Sequence, residues 1–210
     1  MPNHITPVMY LDSDGNSPTW WNPFTWSNEA KIIAGIVIIA GLAIATVATG
    51  GAAGGVVGFI LAGAFKGAAI GAVSGGLISG AIGGLTSGSW EGFVDGFSTG
   101  FMTGAFIGGV TGAASNAIKV GQAAKLWQSG TSVRTATPFK TMVHHYKIHG
   151  QGFGNIVNYS NQASNFAVRN ANSLSFVARN QALTPHWTWI GKAGMNGHFS
   201  SAGKVLTFWL

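Results

Sequence analysis

The hydrophobic and polar positions of this chain fall into two regimes. Between residues 32 and 118 apolar and small residues run almost unbroken, with uncharged stretches at 32–65, 67–90 and 96–118. Beyond residue 118 the apolar positions are interspersed with polar ones, as in a globular domain. Within the first regime a glycine recurs at every fourth position: Gly80, Gly84, Gly88, Gly92, Gly96, Gly100, Gly104, Gly108 and Gly112, after a shorter ladder at Gly63, Gly67, Gly71 and Gly75. Four-residue spacing stacks positions on one helix face, and a missing side chain there lets two backbones touch. The same spacing drifts about 40° per step against a 3.6-residue turn, which predicts several short, tightly packed helices and no long rod. Glycine costs roughly 1 kcal/mol per residue in a helix exposed to water, so lipid or close packing must compensate. Phe93, Phe97, Phe101 and Phe106 alternate with ladder glycines and are expected to fill the gaps they leave.

Residues 32–49 give 18 positions without a charge, close to the roughly 20 residues that cross a hydrocarbon core. Lys31 precedes them, and Trp20, Trp21 and Trp26 sit where an interfacial aromatic belt would lie. Membrane contact through residues 32–118 at some stage of function is the expectation. The alternative is a helical core buried inside a larger shell.

In the second regime residues 119–128 read as a short amphipathic helix and 130–138 as a polar connector. Residues 139–148 read as a helix stopped by Gly150. Residues 156–170 place Ile156, Tyr159, Ala163, Phe166 and Ala167 at helical spacing. After Asn170 the period changes: Leu174, Phe176 and Ala178 alternate, and 186–190 and 204–209 are β-branched and aromatic between glycine-rich turns at 191–197 and 200–203. The expected fold class is a mainly α, glycine-zipper, membrane-like N-terminal region followed by a small C-terminal α+β domain with a short antiparallel sheet. The expected divisions are a loop at 1–30, the glycine-rich helical region at 31–120, a linker at 121–135 and the basic domain at 136–210.

Charge sharpens this division. All five acids, Asp12, Asp14, Glu29, Glu91 and Asp95, precede residue 96, whereas 96–210 holds nine Lys and Arg and no acid. Such a module points to a polyanionic partner, nucleic acid ahead of anionic lipid. With no cysteine in the chain, disulfides and thiolate chemistry are excluded. With no carboxylate in the module, paired-acid glycosidase chemistry, Asp/Glu two-metal sites and Ser-His-Asp triads are excluded there too. Histidine acid–base work with Lys or Arg stabilising negative charge remains, and that set suffices for RNA, whose 2′-hydroxyl is its own nucleophile.

The densest cluster is His144, His145, Lys147 and His149. On a helix His145 and His149 share a face and Lys147 lies off it. His149, Lys147, His145 and His186 are the candidate catalytic residues. Arg169, Arg179, Tyr159, Thr207 and Trp209 are candidate substrate contacts. No metal site and no cofactor are expected, because a third strong ligand would have to be the distant His186 or His198. Trp187 and Trp189 share a strand face, where core packing is favoured over base stacking.

Two stretches resemble known families. Residues 6–18, TPVMYLDSDGNSP, resemble the segment that closes the shell of RHS (YD-repeat) proteins, with Thr6-Pro7 where Asn-Pro is usual and Ser13 where Pro is usual. In that family a variable C-terminal toxin follows. KIHGQGFG at 147–154, then Tyr159, Ala163 and Phe166, closing on SAGKVLTFW, resembles toxin domains of the colicin D-like RNases, grouped with barnase, EndoU and RelE. Ile148 separates the usual Lys-His pair, and Ala202-Gly203 stands where Asp-Gly is usual. The resemblance implies His149 as general acid or base and Lys147 as a phosphate-binding cation. It also implies a bacterial toxin, secreted or displayed at the cell surface, that acts in the cytoplasm of competing cells, with an acidic immunity protein as partner and the RHS shell as its carrier. The alternative from another class is a pore former, in which the zipper helices disrupt membranes and the basic tail is non-catalytic.

Overall fold

The computed structural model describes residues 21–51, 54–170, 175–177, 187–192, 194–200 and 202–210, with backbone alone at 175–177 and 187–192. Residues 6–18, Arg179 and His186 therefore lie outside the described residues. The element order is α1 (Asn28–Ala48), α2 (Gly55–Ser87), α3 (Trp90–Ala124), α4 (Pro138–His149), α5 (Ile156–Arg169), β1 (Ser175–Val177), β2 (Trp187–Lys192), β3 (Met195–Ser200) and β4 (Val205–Trp209). A mainly helical, apolar N-terminal part and a small C-terminal antiparallel sheet are thus both present. The chain divides into two compact units, one of Met1–Gly41 with Gly67–Gly109 and the other of Leu42–Lys66 with Val110–Leu210.

In the first unit the glycine ladder is not broken into short helices. It is divided between two long ones, α2 of 33 residues and α3 of 35, with a sharp turn at Gly88, whose φ of 65 lies in the left-handed region that glycine tolerates. The expectation of short helices took the drift as a limit on one helix. Two helices that carry the same stripe can keep it between them by coiling round each other. Gly67 meets Gly108, Gly71 meets Gly104, Gly75 meets Gly100 and Gly83 meets Gly92, in antiparallel register. At each crossing a methyl group on one glycine would collide with a backbone oxygen of the other helix, so no side chain fits.

A second stripe receives rings. A Cβ on Gly76 would stand 3.0 Å from Phe97, and one on Gly80 3.0 Å from Phe93. The phenyl rings stack along α3, with Phe93–Phe97 centroids at 6.1 Å and Phe97–Phe101 at 5.9 Å. Phe101 also lies over Gly35 of α1. Phe106 departs from expectation, since it is 62% exposed and fills no gap. Lys31 is 4% exposed; its ammonium donates to Asp95 Oδ1 at 3.3 Å and Thr99 Oγ1 at 3.0 Å. One of the few charges in this apolar unit is thus paired, as a buried charge must be.

Helices α1 and α2 are long and apolar enough to cross a bilayer, and α3 falls short of that test. Only 11% and 22% of their most apolar windows are buried, whereas the core helix of a soluble protein is mostly buried. Ile33, Ile36 and Val37 on α1, and Leu77, Ile78 and Leu85 on α2, are exposed.

The second unit holds a core of Val120, Ala123, Ala124, Trp127, Met142, Tyr146, Phe153, Ile156, Tyr159, Ala163, Phe166, Phe199, Val205 and Phe208. The first part of the stretch expected as a linker, 121–127, is therefore core: α3 continues to Ala124 and Trp127 follows it inward, while 128–135 is a mostly exposed irregular connection. The stretch 119–128 read as a separate helix is the end of α3 followed by a short extended segment. Thr137 accepts from the Lys140 amide at the start of α4, and Asn155 accepts from the Val157 and Asn158 amides at the start of α5. Strand order is β1-β2-β3-β4, antiparallel throughout. Strand β3 occupies part of the stretch expected to be a glycine-rich turn, with Gly194 directly before it at a positive φ of 80.

The zipper register yields opposite expectations for two glycines of α3. Gly104→Ala forces a methyl against the Gly71 carbonyl and should lower stability by about 1–3 kcal/mol. Gly121→Ala meets nothing within 4 Å and should raise it by up to about 1 kcal/mol. Denaturant unfolding of the two variants checks both signs.

Candidate active site

The second unit contains none of the five acids and ten of the eleven Lys and Arg residues, all but Lys31. The histidines of α4 are consequently held by rings and neutral groups. On α4, Met142 and Tyr146 face the core four residues apart, which sets His145 and His149 on the adjoining stripe, four apart in turn. The two imidazoles stack, with centroids 6.1 Å apart and planes at 13°. His144 meets His145 edge-on at 5.2 Å.

Strand β4 supplies the opposite wall. A β-bulge between His198 and Phe199 pairs His198 with Thr207 and Phe199 with Val205, so Leu206 is the extra residue. Val205 and Phe208 therefore both turn into the core, and Thr207 and Trp209 share the other face with His198. Thr207 Oγ1 lies 3.0 Å from His145 Nδ1. Trp209 is set between two imidazoles, with His149 at 6.2 Å and His198 at 5.2 Å. Behind His145 the indole of Trp127 stacks at 5.8 Å and 12°.

The environment disfavours charge on these histidines. Burial, then the neighbouring His144 and His149, push His145 down to about 4. Burial, then His144, lower His149. At neutral pH the stacked pair is uncharged, with ring nitrogens available to accept or pass protons.

The structure thus brings together four of the residues singled out from the sequence: His145, His149, Thr207 and Trp209. Lys147 is exposed on α4, off the stacked face as its spacing predicts, and Arg169 is exposed in the last turn of α5. Tyr159 needs correcting as a substrate contact. It is fully buried, its hydroxyl donates to the Phe208 carbonyl, and burial raises its pKa, so it is part of the floor beneath the site. Arg179 and His186 lie outside the described residues, as do the side chains of Trp187 and Trp189. His198, which the sequence did not single out for the site, lies on β3 beside Thr207. It was visible in the sequence only as one more histidine, because its role depends on strand pairing with Thr207. Trp127 was missed because the sequence pattern placed it in a linker. Among the described residues no group of three His, Cys, Asp or Glu is placed to hold a metal ion.

A pH dependence of stability follows from His145. Its folded pKa lies below the ordinary 6.5, so the unfolded chain takes up the proton first as pH falls. Stability is full above 6.5, declines as pH drops towards about 4, and flattens below that, with His149 acting in the same direction. Urea unfolding at pH 7, 5 and 4 should show the decline, and His145→Gln should reduce its slope.

No family model, curated protein or solved structure matches the chain, so the functional assignment rests on this geometry and chemistry.

Proposed function

We propose that the second unit is a metal-independent endoribonuclease, the toxic part of an RHS-type polymorphic toxin used against competing bacteria. The observation that carries this is the stacked His145–His149 pair, joined to Thr207 and Trp209, in a unit with no carboxylate. RNA supplies its own nucleophile, so two imidazoles and a source of positive charge suffice. With Nδ1 protonated and donating to Thr207, His145 presents its Nε2 lone pair to remove the proton of a 2′-hydroxyl. The oxygen attacks the adjacent phosphorus, and His149 protonates the departing 5′-oxygen. Lys147 is the cation assigned to the phosphate, with Arg169 and Arg179 as further contacts, and Trp209 offers a face to a base. The surplus of positive charge suits RNA, and equally an acidic immunity protein that would cover the same surface. The apolar helices α1 and α2 serve membrane contact during delivery to the target cytoplasm.

A base that must be neutral and an acid that must be protonated bound the working range. Cleavage should fall below about 4 as His145 takes a proton, and fall again as pH rises, before the ordinary imidazole range is reached, because burial and His144 make His149 lose its own proton early. The optimum is therefore acidic.

The exposed aliphatics of α1 and α2 favour one other assignment, a membrane-disrupting toxin with a non-catalytic tail. Purified chain incubated with total bacterial RNA, beside dye-loaded anionic vesicles, separates the two. Discrete RNA fragments that drop at least about a hundredfold in His149→Ala and His145→Gln support the nuclease. Intact RNA with vesicle leakage assigns toxicity to the helices.

A further inference from the structure

We propose that Trp127 is a positioning residue for the His145–Thr207 pair, which makes the segment that follows α3 part of the active site. The inference rests on the RNA-cleavage assignment for its functional meaning, and its structural content stands apart from it. A catalytic imidazole ordinarily takes its orientation from a carboxylate on its far nitrogen. This unit has no acid to provide one. The groups facing His145 are His144 and His149 from its own helix, Thr207 from β4 and Trp127 from the segment after α3. None of these is anionic, and two of them lower its affinity for a proton by charge repulsion. Orientation must therefore come from one hydrogen bond, to Thr207, and from a flat surface behind the ring.

Trp127 is that surface, and it is fixed in three ways. It is 1% exposed. Its indole N–H donates to Ser160 Oγ at 3.0 Å, and the Ser160 hydroxyl donates to the Ile156 carbonyl at 2.8 Å, which sets the plane of the indole against α5. The backbone on either side is tied to β4: the Gln128 amide donates to the Val205 carbonyl at 2.8 Å, and the Val205 amide donates to the Leu126 carbonyl at 2.9 Å. Thr207 is two residues along from Val205. One short segment thus fixes both partners of the pair, the imidazole through its ring face and the hydroxyl through the register of its strand. Packing is not specific to a flat ring, since a leucine would also fill a core. Near-parallel stacking at 12°, with the indole N–H engaged, is specific to one.

The test uses the full chain as wild type, Trp127→Phe and Trp127→Leu, with His145→Gln to assign the His145 ring signal. The proton NMR titration of His145 and the rate of cleavage of single-stranded RNA are measured on each. Trp127→Phe keeps a flat face and should leave the midpoint near that of wild type and the rate within about threefold. Trp127→Leu should let the imidazole tilt into water, moving its midpoint up towards the ordinary 6.5. Its rate should fall about tenfold to a hundredfold, as a misplaced catalytic group dictates. A folded Trp127→Leu with wild-type midpoint and rate overturns the proposal. If Trp127→Leu does not fold, the difference in indole fluorescence between wild type and Trp127→Phe decides. It must titrate with the His145 midpoint and lose that titration in His145→Gln; a signal indifferent to His145 overturns the proposal. Failure of the wild type to cleave RNA removes the nuclease assignment, and the titrations then still decide whether Trp127 positions the pair.

Discussion

The second unit depends on the burial of one indole. Trp127 touches α4 through His145, α5 through Ser160 and Tyr159, and β4 through the paired backbone on both sides of it. A buried Trp needs a partner for its N–H, and Ser160 is a buried hydroxyl with a partner of its own. The sheet edge needs cover, and residues 126–128 provide it beside Val205. These two requirements, each ordinary, coincide at one position and leave the His145 imidazole stacked on one face of that indole.

Much of the fold was legible in the sequence because its signals are periodic. Ile156, Tyr159, Ala163 and Phe166 mark one face of α5, and Gly150 ends α4, since neither depends on distant residues. Two features were misread for a shared reason. The ladder was read as several short helices, because the drift of a four-residue repeat was taken as a limit on each helix alone, while the structure carries it on two long helices that share the stripe. The segment around Trp127 was read as a short amphipathic helix at a domain boundary, and its place in the core depends on contacts with residues 33 and 78 positions further on. Strand β3 escaped because Asn196 and Gly197 favour turns in isolation and are held extended by their pairing with β2 and β4.

The site was legible in its chemistry and less so in its membership. Five histidines in an acid-free unit announce proton transfer without a carboxylate, and the i, i+4 spacing already placed His145 beside His149. Thr207 and Trp209 share a face by alternation, but His198 joins them only through strand pairing, and Val205 turns into the core with Phe208 only because Leu206 is bulged out, which no local pattern reveals. Tyr159 was drawn towards the substrate by its place in a motif, whereas its hydroxyl is spent on the Phe208 carbonyl. A motif residue can thus belong to the site's foundation and not to its surface.

The zipper between α2 and α3 has a property that its close contacts conceal. A stripe that repeats every four residues bears no mark of where it begins. Sliding one helix past the other by four residues, about 6 Å, sets glycine against glycine again, and Phe93, Phe97 and Phe101 share the same repeat. The packing fixes distance and direction but not register. Register is supplied by the tight turn at Gly88 and by the Asn116 side-chain amide of α3, which donates to the Phe59 carbonyl of α2 at 2.7 Å. A hairpin built this way takes its closeness from the glycines and its register from a few marked points, Ser79 against Gly96, the turn at Gly88 and the Asn116–Phe59 bond.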